Sequence, residues 1–138
     1  NYIGSIQVEN MSELNLPLNA KKSVDFKVTK EYTAAHIGSG SVSVLATPSM
    51  ILFMEIASGM LAHDHLPQGY TSVGTRVCVD HLSAVLEGNT VQATSVIAGI
   101  DKHKIIFDVE VKYDNKIIGK GTHIRFIVDE KRFLEKLQ

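Results

Sequence analysis

Hydrophobic and polar positions change rhythm along the chain. Val24, Phe26 and Val28 alternate with Asp25 and Lys27, which predicts a half-buried strand over about 23–32. Residues 1–22 are polar and mixed, and read as a loosely ordered lead-in to a single domain over 23–138. His36-Ile37-Gly38-Ser39-Gly40 reads as a turn or flexible loop, and Ser41 to Ala46 as a short extended segment. Thr47-Pro48 then starts a helix, since threonine suits the cap and proline the first helical position. The helix should run to about His65 and stop near Pro67 and Gly69. From Met50 to Ala57 it is apolar nearly all round, the pattern of a helix surrounded by protein.

Four strand-like segments follow, at about 71–82, 89–101, 103–113 and 116–128, with a hairpin turn at Tyr113-Asp114-Asn115-Lys116. Ile105, Phe107, Val109 and Val111 alternate with Asp108, Glu110 and Lys112, so one face meets the core and the other meets water. Residues 129–137 read as a short terminal helix. No helix separates the last four strands, which excludes a doubly wound sheet. The expected architecture is α+β, a long buried central helix wrapped by a curved antiparallel sheet.

Composition narrows the function classes. A chain of 138 residues fits one domain, and its net charge of −1 carries no basic footprint for nucleic acid. The one tight basic cluster, Lys102-His103-Lys104, reads as a solvated turn. The longest apolar run, Met50 to Leu61, falls short of the ~20 residues that span a bilayer, so no membrane is expected. Asn1 to Asn10 lacks the basic-then-apolar pattern of a signal peptide. Cys78 is the lone cysteine, so no internal disulfide forms. A cytoplasmic location is the expectation.

Chemistry concentrates on a few residues. Glu55 sits in the middle of the apolar helix, and glutamate is rarely buried without a partner. It reads as a working carboxylate, an edge residue exposed to water, or a structural hydrogen-bonding group. Ser58 and Gly59, three and four positions on, are small and leave room for a ligand beside it. Period two puts His81 on the apolar face with Val73, Val77 and Val79, toward the helix, where the carboxylate is a plausible partner. Thr47 has the cap as its simplest role. If it also serves the site, the ~12 Å rise over eight residues argues for a site built from two chains. Gly74 marks a bulge or a close backbone approach within a strand. Cys78 alternates to the other face and reads as a buried, inert thiol. His63 and His65 flank Asp64, but no further ligands accompany them and no metal is expected. A Gly-x-Ser-x-Gly elbow and a phosphate loop are both missing.

The run of motifs is more specific than any one of them. His36-x-Gly38-Ser39-Gly40, Ala46-Thr47-Pro48, Met54-Glu55, Gly74-Thr75-x-x-Cys78-Val79-x-His81 and Gly121-Thr122-His123-x-Arg125 together resemble the fluoroacetyl-CoA thioesterase family over about 23–135. The resemblance implies a dimeric hot-dog fold that hydrolyses a small acyl-CoA thioester, with sites at the interface of a homodimer or higher homo-oligomer. It implies catalytic roles for Thr47, Glu55 and His81 and substrate contacts for Gly74 and Arg125. Glu55 would be nucleophile or general base, His81 a proton shuttle, Thr47 an orienting hydroxyl and the Gly74 N–H an oxyanion donor. Arg125 on the outer face would meet a coenzyme A phosphate or form an ion pair. Coenzyme A belongs to the substrate, and no cofactor is implied. The family's fluoroacetyl-specific enzyme covers its acyl pocket with phenylalanines ahead of the threonine, whereas this chain has none between Phe26 and Phe53. A general short acyl group is therefore the expected substrate. The rival readings are a hot-dog acyl-CoA hydratase or dehydratase and a non-enzymatic acyl-CoA-binding module.

Overall fold

The computed structural model describes residues 16–138. Strand β1 spans Lys21–Lys27, helix α1 Ala34–Ile37 and helix α2 Thr47–His63. Strands β2 (Tyr70–His81), β3 (Thr90–Asp101), β4 (Lys104–Tyr113) and β5 (Lys116–Asp129) follow, and α3 (Glu130–Leu137) closes the order. The expected lead-in over 1–22 lies mostly outside the described residues, and its last two positions already belong to β1. That strand ends earlier than its pattern predicts. Lys30–Tyr32 forms a 3-10 turn, and the supposed loop at His36 is α1, closed by Gly38 in the left-handed region at φ 83°.

All strand pairings are antiparallel, in the order β1-β3-β4-β5-β2. The β4–β5 hairpin turns on Asp114 and Asn115, with φ of 49° and 66°. Two successive positive φ values give the twist that a two-residue hairpin needs, and Asp and Asn tolerate them. The faces of β3 and β4 turned to α2 carry Ala93, Ile97, Ile105 and Phe107, all fully buried. Phe53 of α2 stacks on Phe26 of β1 with ring centroids 4.2 Å apart, so helix and edge strand share one core.

Three expectations are corrected here. The sheet does not wrap the helix. Five strands span only ~19 Å across, while a shell ~10 Å from a helix axis runs ~60 Å around. The edge strands β1 and β2 stay apart, and the sheet lies against one side of α2 without curling strongly around it. Nor does the fold itself show the expected dimer: all five strands and α2 come from one chain. Finally, α2 is not enclosed all round. Leu52 and Met60 on its uncovered side are each 42% exposed, and the Glu55 side chain at the margin of that side is 40% exposed. No described helix is long and apolar enough to cross a membrane.

Candidate active site

Two side-chain clusters stand along α2. The first is at its start. Ala46, not Thr47, occupies the cap position, and no side chain caps the helix. Ala46 is held instead by its backbone, its N–H donating to the Tyr32 carbonyl and its carbonyl accepting from Met50. The Thr47 hydroxyl is thereby left for another partner, and lies 2.7 Å from Nδ1 of His81 at the end of β2. The predicted capping role of Thr47 is corrected, because the chain enters the helix one residue earlier.

His81 is half-buried, facing the helix side of the sheet as its period predicts. Burial holds its imidazole below the ordinary histidine pKa, with the Ser83 backbone acting in the opposite direction. The neutral ring is the form that accepts a proton. Its Nε2 is buried and has no hydrogen-bond partner among the described residues. Beside the pair is a recess of about 290 Å³ bounded by Val44, Leu45, Leu82, Ser83 and Ala84. A larger hollow of about 500 Å³ lies on the sheet's opposite face, lined by Asp80, Asp108, Glu110 and Lys120, and holds none of the expected catalytic side chains.

The second cluster surrounds Glu55. Its ion-pair partner is Arg125, with Nη1 3.9 Å from Oε2. Arg125 does not lie on the outer face, because β5 turns it toward α2, where its side chain is 13% exposed. Its Nε donates to Ser72 Oγ at 2.7 Å, its Nη2 to the Ser72 carbonyl at 3.0 Å, and its Nη1 to His123 Nε2 at 3.2 Å. Burial lowers its pKa and the Glu55 charge raises it, but a guanidinium keeps its proton throughout.

Gly74 belongs to this cluster for a steric reason. A Cβ there would stand 3.0 Å from Glu55 Oε2 and 3.2 Å from His123 Cε1. The register of β2 against β5 also shifts between Gly74 and Arg76, so the glycine marks both a bulge and a close approach.

The expected neighbours of Glu55 divide. Gly59 faces the Arg125 guanidinium, 3.6 Å from where its Cβ would be. Ser58 is fully buried and bonds Ser95 Oγ of β3 at 2.7 Å, so its hydroxyl joins helix to sheet. Cys78 is exposed, because among the described residues nothing covers the outer face onto which the alternation turns it. Asp64 pairs with Lys22 at 2.9 Å, and no group of three His, Cys, Asp or Glu side chains among the described residues is placed to hold a metal. The expected meeting of Glu55 with His81 does not occur within the described contacts of one chain. Residue spacing alone passed over His123, which is 1% exposed. Its signal was the alternation His123-x-Arg125, which puts both on one face of a strand.

Comparison with known proteins adds to this geometry. The profile of the fluoroacetyl-CoA-specific thioesterase family matches residues 28–131. The fluoroacetyl-CoA thioesterase of Streptantibioticus cattleyicolor is 29% identical over 120 residues, covering 83% of this chain and 86% of that protein. A solved fluoroacetyl-CoA thioesterase superposes with a TM-score of 0.82 at 26% identity, covering 89% of this chain and 96% of the other. A thioesterase superfamily member from Thermus thermophilus gives 0.81 at 25% identity, covering 89% and 90%. A hot-dog-like protein from Thermanaerovibrio acidaminovorans, at 18% identity, 0.79, and coverage of 95% and 98%, speaks to the fold alone. The profile match takes in α2, all of β2 to β5 and both side-chain clusters, and this chain belongs to the fluoroacetyl-CoA-specific thioesterase family and is an acyl-CoA thioester hydrolase.

Proposed function

We propose that the chain hydrolyses short, unhindered acyl-CoA thioesters, at a site where Thr47 and His81 of one chain meet Glu55 of a second copy. The observation carrying this reading is the 2.7 Å contact between Thr47 and His81, a hydroxyl–imidazole pair with the reach that proton transfer requires. Along a helix, eight residues rise ~12 Å, which separates Thr47 from the Glu55 of its own chain. The uncovered side of α2, with Leu52 and Met60 exposed and Glu55 at its margin, is an apolar face that a second copy would bury.

Glu55 acts as nucleophile or as base toward water, and His81 moves the proton to the departing thiolate. Thr47 orients the imidazole, and the Gly74 N–H faces the developing oxyanion. The products are a carboxylic acid and coenzyme A, with water the only co-reactant. Arg125 stands beside the Glu55 carboxylate, with Nη1 3.9 Å from Oε2, and orients it. The acyl group is small and need not carry fluorine. The segment ahead of Thr47 offers Val42, exposed, and Val44, half-buried, with no aromatic ring. The exposed free thiol of Cys78 supports a reducing compartment, the cytoplasm.

The test is thiol release across acetyl-, propionyl-, butyryl- and fluoroacetyl-CoA. The expected result is turnover of several short acyl groups, with no marked preference for fluoroacetyl. Turnover of fluoroacetyl-CoA alone would overturn the substrate assignment. Crotonyl-CoA hydrated without thiol release would overturn hydrolysis itself.

A further inference from the structure

His123 of β5 is sealed against α2, and its two ring nitrogens have partners of opposite kind. Nδ1 lies 2.8 Å from the Arg76 carbonyl and Nε2 lies 3.2 Å from Arg125 Nη1. A carbonyl only accepts and a guanidinium only donates, so one neutral tautomer satisfies both. The proton sits on Nδ1, and the lone pair on Nε2 faces Arg125.

The consequence passes to Arg125. Its guanidinium is gripped at three points, by the Ser72 hydroxyl, the Ser72 carbonyl and His123. A planar fork held on three sides has no freedom to swing. The Glu55 carboxylate, by contrast, has no hydrogen bond among the described residues and stands 3.9 Å from the Nη1 that His123 holds. The Glu55 side chain is also 40% exposed, so packing alone does not fix it. The absence of a side chain at Gly74 keeps that corner open.

We propose that His123 is a positioning residue for hydrolysis, fixing the Arg125 guanidinium so that Nη1 aims the Glu55 carboxylate at the substrate. This rests on Glu55 being the working carboxylate. His123 itself touches no reacting atom. A purely structural histidine would need only burial and one hydrogen bond, whereas this one presents its lone pair to the cation that faces the acid.

The experiment compares His123→Leu and His123→Gln, each also in the Glu55→Ala background, by kcat, KM and thermal melting. Leucine removes the acceptor for Arg125, while the glutamine amide oxygen restores one. The expected result is a kcat lowered on the order of tenfold in His123→Leu with KM little changed, the mark of lost alignment. His123→Gln recovers most of that rate. In the Glu55→Ala background, His123→Leu has no further effect, because its influence runs through the carboxylate.

A wild-type kcat in His123→Leu would overturn the proposal, as would an undiminished loss in the Glu55→Ala background. If His123→Leu does not fold, His123→Phe removes the same acceptor with a planar ring in its place and decides by the same cycle. The two readings fail separately. A wild-type rate in Glu55→Ala removes the role of Glu55, whereas an inactive Glu55→Ala beside a fully active His123→Leu removes only the role of His123.

Discussion

The hydroxyl of Thr47 and Nδ1 of His81 lie 2.7 Å apart across 34 residues of chain. One stands on the first residue of the long helix and the other on the last residue of an edge strand. The pair exists because the chain enters α2 with Ala46 in the cap position, which leaves the threonine hydroxyl unclaimed by the helix.

That separation of roles gives a paired expectation for Thr47. Replacement by alanine removes the partner of His81 and lowers kcat ~100-fold, while Thr47→Ser keeps most of the rate. Stability falls by less than the ~1 kcal/mol typical of a lost helix cap. Kinetics and thermal melts on the same preparations check both halves. A full-rate Thr47→Ala that melts early would reassign the residue to capping.

A site shared between two copies predicts complementation. Glu55→Ala and Thr47→Ala each lose at least ~100-fold alone. Unfolded together and refolded, they regain about a quarter of wild-type activity, since half of random pairs are mixed and each mixed pair holds one intact site of two. No recovery in a mixture shown to contain mixed pairs would put all three residues in one chain.

Two glycines, Gly74 beside Glu55 and Gly121 between β5 and β2, should respond differently to alanine. At Gly74 the added methyl meets the Glu55 carboxylate at 3.0 Å, the far end of a flexible side chain. It also stands 3.2 Å from Cε1 of the firmly held His123, so the fold survives with a loss of ~1–2 kcal/mol, while displacement of the carboxylate lowers kcat tenfold or more. At Gly121 the methyl runs into the Cys78 carbonyl and stands 2.6 Å from Val79 Cα. Backbone cannot step aside, and Gly121→Ala costs ~3 kcal/mol or fails to fold. Denaturant titration of both variants separates the cases.

Ser58 tests the line between site and core. Its removal as Ser58→Ala strands the Ser95 hydroxyl in the core, at a cost of ~1–3 kcal/mol. Turnover and KM stay near wild type. A raised KM at unchanged stability would return Ser58 to the substrate site.

The histidines set a pH signature. His81 and His123 both titrate below the ordinary value of ~6.5, chiefly through burial. The unfolded chain therefore binds these protons at higher pH than the folded one. The stabilisation is fully present above about pH 6.5 and is lost as pH falls toward the lowered folded values. Melting temperatures from pH 8 to pH 5 should decline on the acid side, less steeply in His123→Gln. The acid limb of kcat should likewise lie below pH ~6.5, because the neutral His81 persists there.

What could be read from the chain was what depends on near neighbours. Alternation in β4 and β5 marked strands because the side-chain period of two is a property of the backbone itself. Asp114-Asn115 marked the hairpin because few residues tolerate two left-handed conformations in succession. The spacing of Thr47, Glu55, Gly74, His81 and Arg125 carried the family likeness. Burial and partnership were different. Cys78 was placed on the correct face, but whether that face is covered depends on elements far away in sequence. The helix carrying Glu55 was expected to be enclosed because it is apolar nearly all round, yet five strands cover one side only.

By itself, then, the sequence determined the kinds of elements, their order and the side chains able to do chemistry, since each follows from local stereochemistry and residue type. Tertiary structure alone decided the pairings. Thr47 goes to His81 and not to the cap, Arg125 goes inward to Ser72, His123 and Glu55, and Ser58 goes to Ser95. Those choices depend on strand register, on the bulge after Gly74 and on which side of α2 the sheet covers. Apart from Arg125 with His123, each joins segments tens of residues apart, and no window of neighbouring residues contains it.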